Sequence, residues 1–199
     1  MENPPVGIKV GVLALQGASR LHLETLASIN VDAIPVKHSD DLAAVDRLII
    51  PGGESTTISK LLEFNGLRVP IAQRIAGGMP VLGTCAGMIL LATDVFDGRI
   101  DQRSFGAIDV SVRRNGWGRQ LDSFEGDIEM PIIGDPFHAV FIRAPRIERI
   151  GVDVEVLATI DGEAIAVRQA NAIATSFHPE LTDDTRIHRW FVNEFEIDY

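Results

Sequence analysis

The sequence is poor in the residues that tie proteins together covalently or through metals. One cysteine, Cys85, stands in 199 residues, which excludes an internal disulfide and leaves a structural zinc site without its usual ligands. That usage fits a reducing, cytoplasmic setting. Positive charge is also scarce: 18 Lys and Arg against 28 Asp and Glu give a formal net charge of −10. Such a chain has no general attraction for nucleic acid or anionic membrane, so small molecules or another protein are the expected ligands. No apolar run approaches the ~18 residues of a membrane helix, and the opening "MENPPVG" lacks the basic and apolar regions of a leader. Repeats, linkers and low-complexity segments are missing too, so a single domain over residues 1–199 is expected.

What is present has an ordinary balance for a folded protein, 46% hydrophobic and 23% charged. "KVGVLALQG" is a near-continuous apolar run closed by glycine, the pattern of a strand buried on both faces. A helix is predicted over "SRLHLETLASIN", with Leu21, Leu26 and Ile29 on one stripe, followed by strands in "VDAIPVK" and "DRLIIPGG". Helices in "ESTTISKLLEFNG" and "VPIAQRIAGG", a strand in "MPVLGT" and a helix over "AGMILLATDV" continue the alternation. Strands alternating with helices imply an α/β fold of three layers, a mostly parallel central sheet flanked by helices. From about residue 104 the chain turns β-rich: "FGAIDVSVRRN", "SFEGDIEM", "HAVFIRAP", "VEVLATIDG", "EAIAVRQ" and "AIATSFHP". A hairpin is expected around Asp161 and Gly162. The chain closes with a helix carrying Ile187, Phe191 and Phe195 on one stripe and Asp183 and Asp184 in its first turn.

Chemistry concentrates in three short stretches. "VLGTCAG" sets Cys85 between Gly83 and Gly87, after a strand and before a helix, in the form of a nucleophile elbow. There the helix dipole and free amides favour a thiolate, and Ala86 N–H is a natural oxyanion donor; the competing reading is a small buried apolar residue. A thiolate needs a base, and His178 is the candidate because it ends an apolar strand and is followed by "PE". If the strand stays extended through Pro179, residues 178 and 180 point the same way and Glu180 can orient the imidazole. His22, His38 and His188 read as surface or satisfied histidines, and His138, which begins a strand after "GDPF", as serving a turn there. In "IIPGGEST", Gly52 and Gly53 end a strand and Glu54 and Ser55 open a helix, so amide N–H groups collect there as further oxyanion donors. Lacking Gly-Lys-Ser or Gly-Lys-Thr, this turn is not a P-loop.

"GTCAG", the downstream "HPE" and the upstream "PGGES" together resemble the class I glutamine amidotransferases. Six blocks in order, "LALQGA", "PGGESTT", "GTCAGMILLA", "RNGWGRQLDSFEG", "FIRAP" and "SFHPELTDD", are similar to those of the glutaminase subunits of pyridoxal 5'-phosphate synthases, over nearly the whole chain. The resemblance implies a nucleophile at Cys85, a base at His178 and its orienting partner at Glu180. It also implies glutamine contacts at Gly53, Glu54, Ser55, Arg114, Ile142 and Arg143, an oxyanion hole from Gly52, Gly53 and Ala86, and neither cofactor nor metal. Its further implication is ammonia delivered to a synthase subunit in a large hetero-oligomer, with a Gly-Gly turn that forms its donor on docking. Departures are small: Met88 and the Gly116-Trp117 pair replace an expected Leu and a Ser-aromatic pair, and 97–104 looks variable. Three alternatives are a glutaminase serving another pathway such as imidazole glycerol phosphate synthesis, a non-catalytic binding subunit, and a redox-sensing thiol protein.

Overall fold

The computed structural model describes residues 7–99, 101–114, 123–134 and 136–195. In chain order the elements are β1 (Lys9–Leu13), α1 (Ser19–Ser28), β2 (Asp32–Val36), α2 (Ser39–Ala43), β3 (Arg47–Ile50), α3 (Ser55–Phe64), α4 (Arg68–Ala76), β4 (Val81–Thr84) and α5 (Ala86–Leu91). The β-rich part follows with β5 (Ala92–Val95), β6 (Ile108–Arg113), β7 (Ser123–Ile128), β8 (Phe137–Ile142), β9 (Arg146–Ile150), β10 (Glu155–Ile160), β11 (Glu163–Gln169) and β12 (Ala172–Thr175), and α6 (Arg186–Asn193) closes the chain.

A seven-stranded sheet in the order β10-β11-β12-β4-β3-β1-β2 forms the middle layer. From β2 to β12 every pairing is parallel, while β11 and β10 extend the sheet as an antiparallel hairpin. Both faces are covered, and successive residues of one strand serve opposite faces. In β3, Leu48 and Ile50 pack with Ile58, Leu62, Ile71 and Ile75 of α3 and α4, whereas Ile49 packs with Leu26 of α1 and Phe191 of α6. The expected hairpin is present, with Asp161 and Gly162 at φ of 50° and 80° joining β10 to β11. Two smaller sheets, β5-β6-β9 and β7-β8, lie outside the main one. Among the described residues no helix is long and apolar enough to cross a membrane.

Three expectations need correction. The helix predicted over "AGMILLATDV" stops at Leu91, because Ala92–Val95 leaves it to pair in parallel with β6, where Asp94 accepts a hydrogen bond from Ser111. Asp183 and Asp184 precede α6 instead of forming its first turn; the Asp184 carboxylate accepts from Arg186 N–H at 3.0 Å and so organises the approach to the helix. The chain also leaves the sheet before His178. A 3₁₀ turn at Pro179–Leu181 replaces the extended segment, and His178 N–H donates to the Val140 carbonyl of β8 at 2.9 Å.

The parallel pairing puts the carboxyl ends of β1, β3, β4 and β12 side by side. The loops after those strands carry Gln16, Gly52 and Gly53, Cys85 and His178, the edge where open α/β sheets bind ligands.

Candidate active site

Cys85 sits at the junction of β4 and α5 with φ 49° and ψ −102°, outside the regions an L-residue prefers. Holding that geometry costs about 1–3 kcal/mol, and close packing around the turn enforces it. A Cβ on Gly87 would stand 2.1 Å from the Ile50 carbonyl oxygen, and one on Gly83 would stand 2.6 Å from the Gly87 carbonyl carbon, so the turn is tight enough to admit only glycine on either side. Cys85 N–H donates to the Thr175 carbonyl at 2.8 Å, which fixes the elbow to β12 and therefore to the segment bearing His178.

His178 and Glu180 are brought together as expected, although through the 3₁₀ turn. His178 Nδ1 is 2.7 Å from Glu180 Oε1, with side chains 9% and 0% exposed. Burial works against a charged imidazole there, but the hydrogen bond to Cys85, then that to Glu180, then the charges of both partners push the His178 pKa up to about 10. Glu180 moves the other way: burial opposes its charge, yet His22 and His178 hold its carboxyl below the usual range. The site therefore favours a charged imidazole held by a carboxylate.

Gly52 touches this triad more closely than any donor role requires. A Cβ at Gly52 would lie 2.3 Å from His178 Cε1 and 3.4 Å from Cys85 Cβ, so only glycine lets the imidazole reach the thiol. Its N–H, expected to face the oxyanion, instead donates to Thr84 Oγ1 at 3.1 Å, and its carbonyl accepts from Ala18 N–H at 3.0 Å. Gly53 N–H shares that second peptide plane and points to the side opposite Ala18. Of the three amides expected as oxyanion donors, that of Gly52 is therefore engaged by a side chain.

An open cavity of about 330 Å³ lies over Cys85, lined among others by Gly53, Glu54, Ser55, Ala86, Arg114, Ile142, Arg143 and His178. Every residue expected to contact glutamine is thus on its wall. Glu54 caps α3, accepting from Thr56 N–H at 3.1 Å and Thr57 N–H at 2.7 Å, and pairs with Arg114 at 2.7 Å. Burial raises the Glu54 pKa, but the Thr57 hydroxyl and the Thr56 and Thr57 amides outweigh it and bring it down to about 2. Arg143 holds φ 44° at the end of β8, and the Cys85 thiol is 3.8 Å from the Ile142 carbonyl oxygen. Of the block "RNGWGRQLDSFEG", residues 115–122 lie outside the described residues, Gly116 and Trp117 among them. Met88 is fully buried, where Met for Leu conserves volume.

The sequence reading missed Gln16, whose Oε1 accepts from Glu54 N–H at 2.8 Å and lines the same cavity; the block "LALQGA" was the available signal. It also left His22 and His188 as unremarkable. Both are fully buried behind Glu180, with His22 Nε2 3.3 Å from Glu180 Oε2. His38 is exposed at the start of α2, and His138 lies within β8 on the β7-β8 ribbon, not in a turn.

The description "SNO glutamine amidotransferase family" attaches to a family model that matches residues 12–197. The chain belongs to that family. It is 56% identical over 190 residues to "Pyridoxal 5'-phosphate synthase subunit PdxT" of Salinispora tropica, covering 92% of this chain and 94% of the relative. It is 56% identical over 187 residues to the protein of the same name from Mycolicibacterium smegmatis, covering 92% and 97%. A solved structure described as a glutamine amidotransferase superimposes with a TM-score of 0.87 at 45% identity, over 92% of this chain and 96% of that one. The amidotransferase fold expected from the sequence is therefore the fold observed.

Proposed function

We propose that this chain is the glutaminase subunit of a pyridoxal 5'-phosphate synthase, one domain that hydrolyses the side-chain amide of L-glutamine and passes the ammonia to a synthase subunit in a large hetero-oligomer. The observation that carries the reading is the strained Cys85 elbow facing an imidazole whose other nitrogen is held by a buried carboxylate. In this reading the Cys85 thiolate attacks the amide carbon, and Gly53 and Ala86 N–H groups stabilise the oxyanion. His178 donates its proton to the departing ammonia, leaving a glutamyl thioester and a neutral imidazole. That imidazole takes a proton from water as the water oxygen bonds to the thioester carbon, and collapse of the adduct breaks the C–S bond, releasing glutamate and regenerating the thiolate. Arg114 and Arg143 supply donors for the substrate carboxylate, and the Glu54 carboxylate faces its ammonium.

Partner dependence follows from the turn that bears the oxyanion donor. The Gly52–Gly53 peptide is held through its carbonyl by Ala18 N–H, and the peptide before it by Thr84 Oγ1; a docking partner that shifts those contacts biases a two-state element. A cytoplasmic location belongs to the same proposal, since a catalytic thiolate persists only where thiols stay reduced.

The test is glutamate release from glutamine by the purified protein, alone and with an added synthase subunit of a pyridoxal 5'-phosphate synthase. Strong activation that disappears in Cys85→Ala is expected. Equal turnover with and without the synthase sinks the gating, and no turnover in either setting sinks the glutaminase reading.

A further inference from the structure

Behind the triad lies a second layer of buried polar groups that the reaction above does not use. Glu180 has two carboxylate oxygens, and only Oε1 is taken by His178. Oε2 is sealed from solvent and has no well-aligned hydrogen bond among the described residues; His22 Nε2 forms its ion-pair contact at 3.3 Å. His22 reaches it from the buried face of α1, four residues before Leu26 on the same stripe. Its other nitrogen, Nδ1, is 2.9 Å from His188 Nε2 of α6, and the rings sit 5.1 Å apart in a tilted arrangement. Thr84 Oγ1, which accepts Gly52 N–H, is also 3.3 Å from His22 Nε2.

The protonation pattern follows from these contacts. A bare Nε2 would set its lone pair against a carboxylate oxygen, so Nε2 carries the hydrogen. Nδ1 is then an acceptor and His188 Nε2–H the donor to it. This leaves His188 Nδ1 bare and, among the described residues, without a partner, and a buried orphan acceptor is tolerated better than a buried orphan N–H. Both ends of the chain give the same assignment. Burial keeps His188 neutral, lowering its pKa to about 3 with help from His22, while Glu180 opposes the shift. Burial likewise lowers the His22 pKa, against the pull of Glu180, so a neutral donor faces the carboxylate.

We propose that His22 is a positioning residue for the reaction at Cys85, its Nε2–H shared between Thr84 Oγ1 and the second oxygen of Glu180 so that the first stays aligned on His178. Without that donor, Oε2 is a desolvated carboxylate oxygen with no compensating partner, and the carboxyl holds its proton to higher pH. A protonated Glu180 neither orients nor stabilises the His178 imidazolium. The groups that face His22 are Glu180 and His178 from the turn after β12, His188 from α6 and Thr84 from β4.

The inference rests on the glutaminase reading, and the experiment separates the two. Glutamine hydrolysis in the presence of the synthase subunit is measured from about pH 5 to 10 for wild type, His22→Leu and His22→Gln. In His22→Leu, kcat falls about ten- to hundredfold with KM little changed, because the triad loses alignment while the glutamine-facing wall is untouched. Its acid limb moves to higher pH. Gln places an amide N–H where Nε2 stood, so His22→Gln recovers most of the rate and returns the limb toward wild type. A wild-type rate and limb in His22→Leu overturns the proposal, as does equal impairment of both variants. If His22→Leu does not fold, ¹⁵N spectra of the histidines in the wild-type protein decide: a protonated Nε2 on His22 supports the proposal and a protonated Nδ1 overturns it. Wild type that releases no glutamate even with the synthase counts against the glutaminase reading, and the ¹⁵N result then still decides the His22 contact.

Discussion

Two histidines of this chain make nearly the same bond and sit in opposite settings. His138 Nδ1 is 2.9 Å from Asp127 and its Nε2 is 3.2 Å from Glu125, on the outer face of the β7-β8 ribbon, with a side chain 48% exposed. His178 Nδ1 is 2.7 Å from Glu180 with a side chain 9% exposed. Both have raised pKa values, but only His178 has its second nitrogen turned toward a thiol instead of another carboxylate. A histidine-carboxylate contact is therefore not in itself a catalytic device. In the proposed reaction, exclusion of water and a second ring nitrogen directed at the thiol make it one.

The largest effect expected from breaking that comparison is at Glu180. Glu180→Ala removes the carboxylate that orients the imidazole and supports its charge, and glutamine turnover falls by about 10⁴-fold, the scale seen when a triad loses its orienting acid. The folded protein loses stability as well, by about 1–3 kcal/mol, since His178 and His22 are left buried without their acceptor. Steady-state kinetics and denaturant unfolding read the two losses separately. Removing both acids beside His138, as Glu125→Gln with Asp127→Asn, changes neither measurement comparably.

A second way to break it leaves every charged group in place. Gly52→Ala puts a methyl 2.3 Å from His178 Cε1, and the ring must move away from Cys85. Turnover falls about a hundredfold at nearly unchanged KM, the penalty for roughly an ångström of misplacement. A wild-type rate in Gly52→Ala shows that the imidazole does not need this close approach.

Arg114 tests the exposed wall of the cavity. Its pair with Glu54 is as short as that of His178 with Glu180, yet the Glu54 side chain is 48% exposed, so the pair adds at most ~1 kcal/mol to stability. If Arg114 binds the substrate carboxylate, Arg114→Ala raises the KM for glutamine about tenfold, the equivalent of one charged hydrogen bond, and leaves the melting temperature almost unmoved. An unchanged KM assigns carboxylate recognition to Arg143.

How much of this could be read from the chain depends on how far each partner lies in sequence. Strands β1, β3 and β4 were legible because each is an apolar run ended by a polar or glycine signal, and the elbow was legible because Gly83, Cys85 and Gly87 are adjacent. His178 and Glu180 were legible because they lie two positions apart, although the route through a 3₁₀ turn depends on Val140, which takes the His178 N–H. His22 and His188 were not, since 166 residues separate them and a histidine on a helix stripe carries no sign of what it faces. Strand β9 was missed because "RIERI" is charged at three of its five positions and pairs on an outer sheet, against β6. The early end of α5 was hidden in the same way, in a pairing with residues 108–112.

The smallest effect, and the finest test of the comparison, is in the titration of the two rings. His138 takes its raised pKa first from the hydrogen bond with Asp127, then from that with Glu125, against slight desolvation. Its folded value lies above its unfolded one, about 6.5, so its contribution to stability is complete below that pH and fades as pH rises through the folded value. His138→Gln therefore lowers stability slightly at acidic pH, has less effect at alkaline pH, and leaves glutamine turnover unchanged. By NMR, His138 loses its proton above the ordinary histidine value, whereas His178 keeps its proton up to about pH 10. The Cys85→Ala substitution sharpens the contrast, because the hydrogen bond to Cys85 is the largest of the influences that raise His178. Its removal brings the His178 midpoint down and leaves His138 where it was. Coincident titration of the two rings in the wild-type protein means that no thiolate-imidazolium pair exists at rest, and that the proton moves from Cys85 to His178 only when glutamine binds.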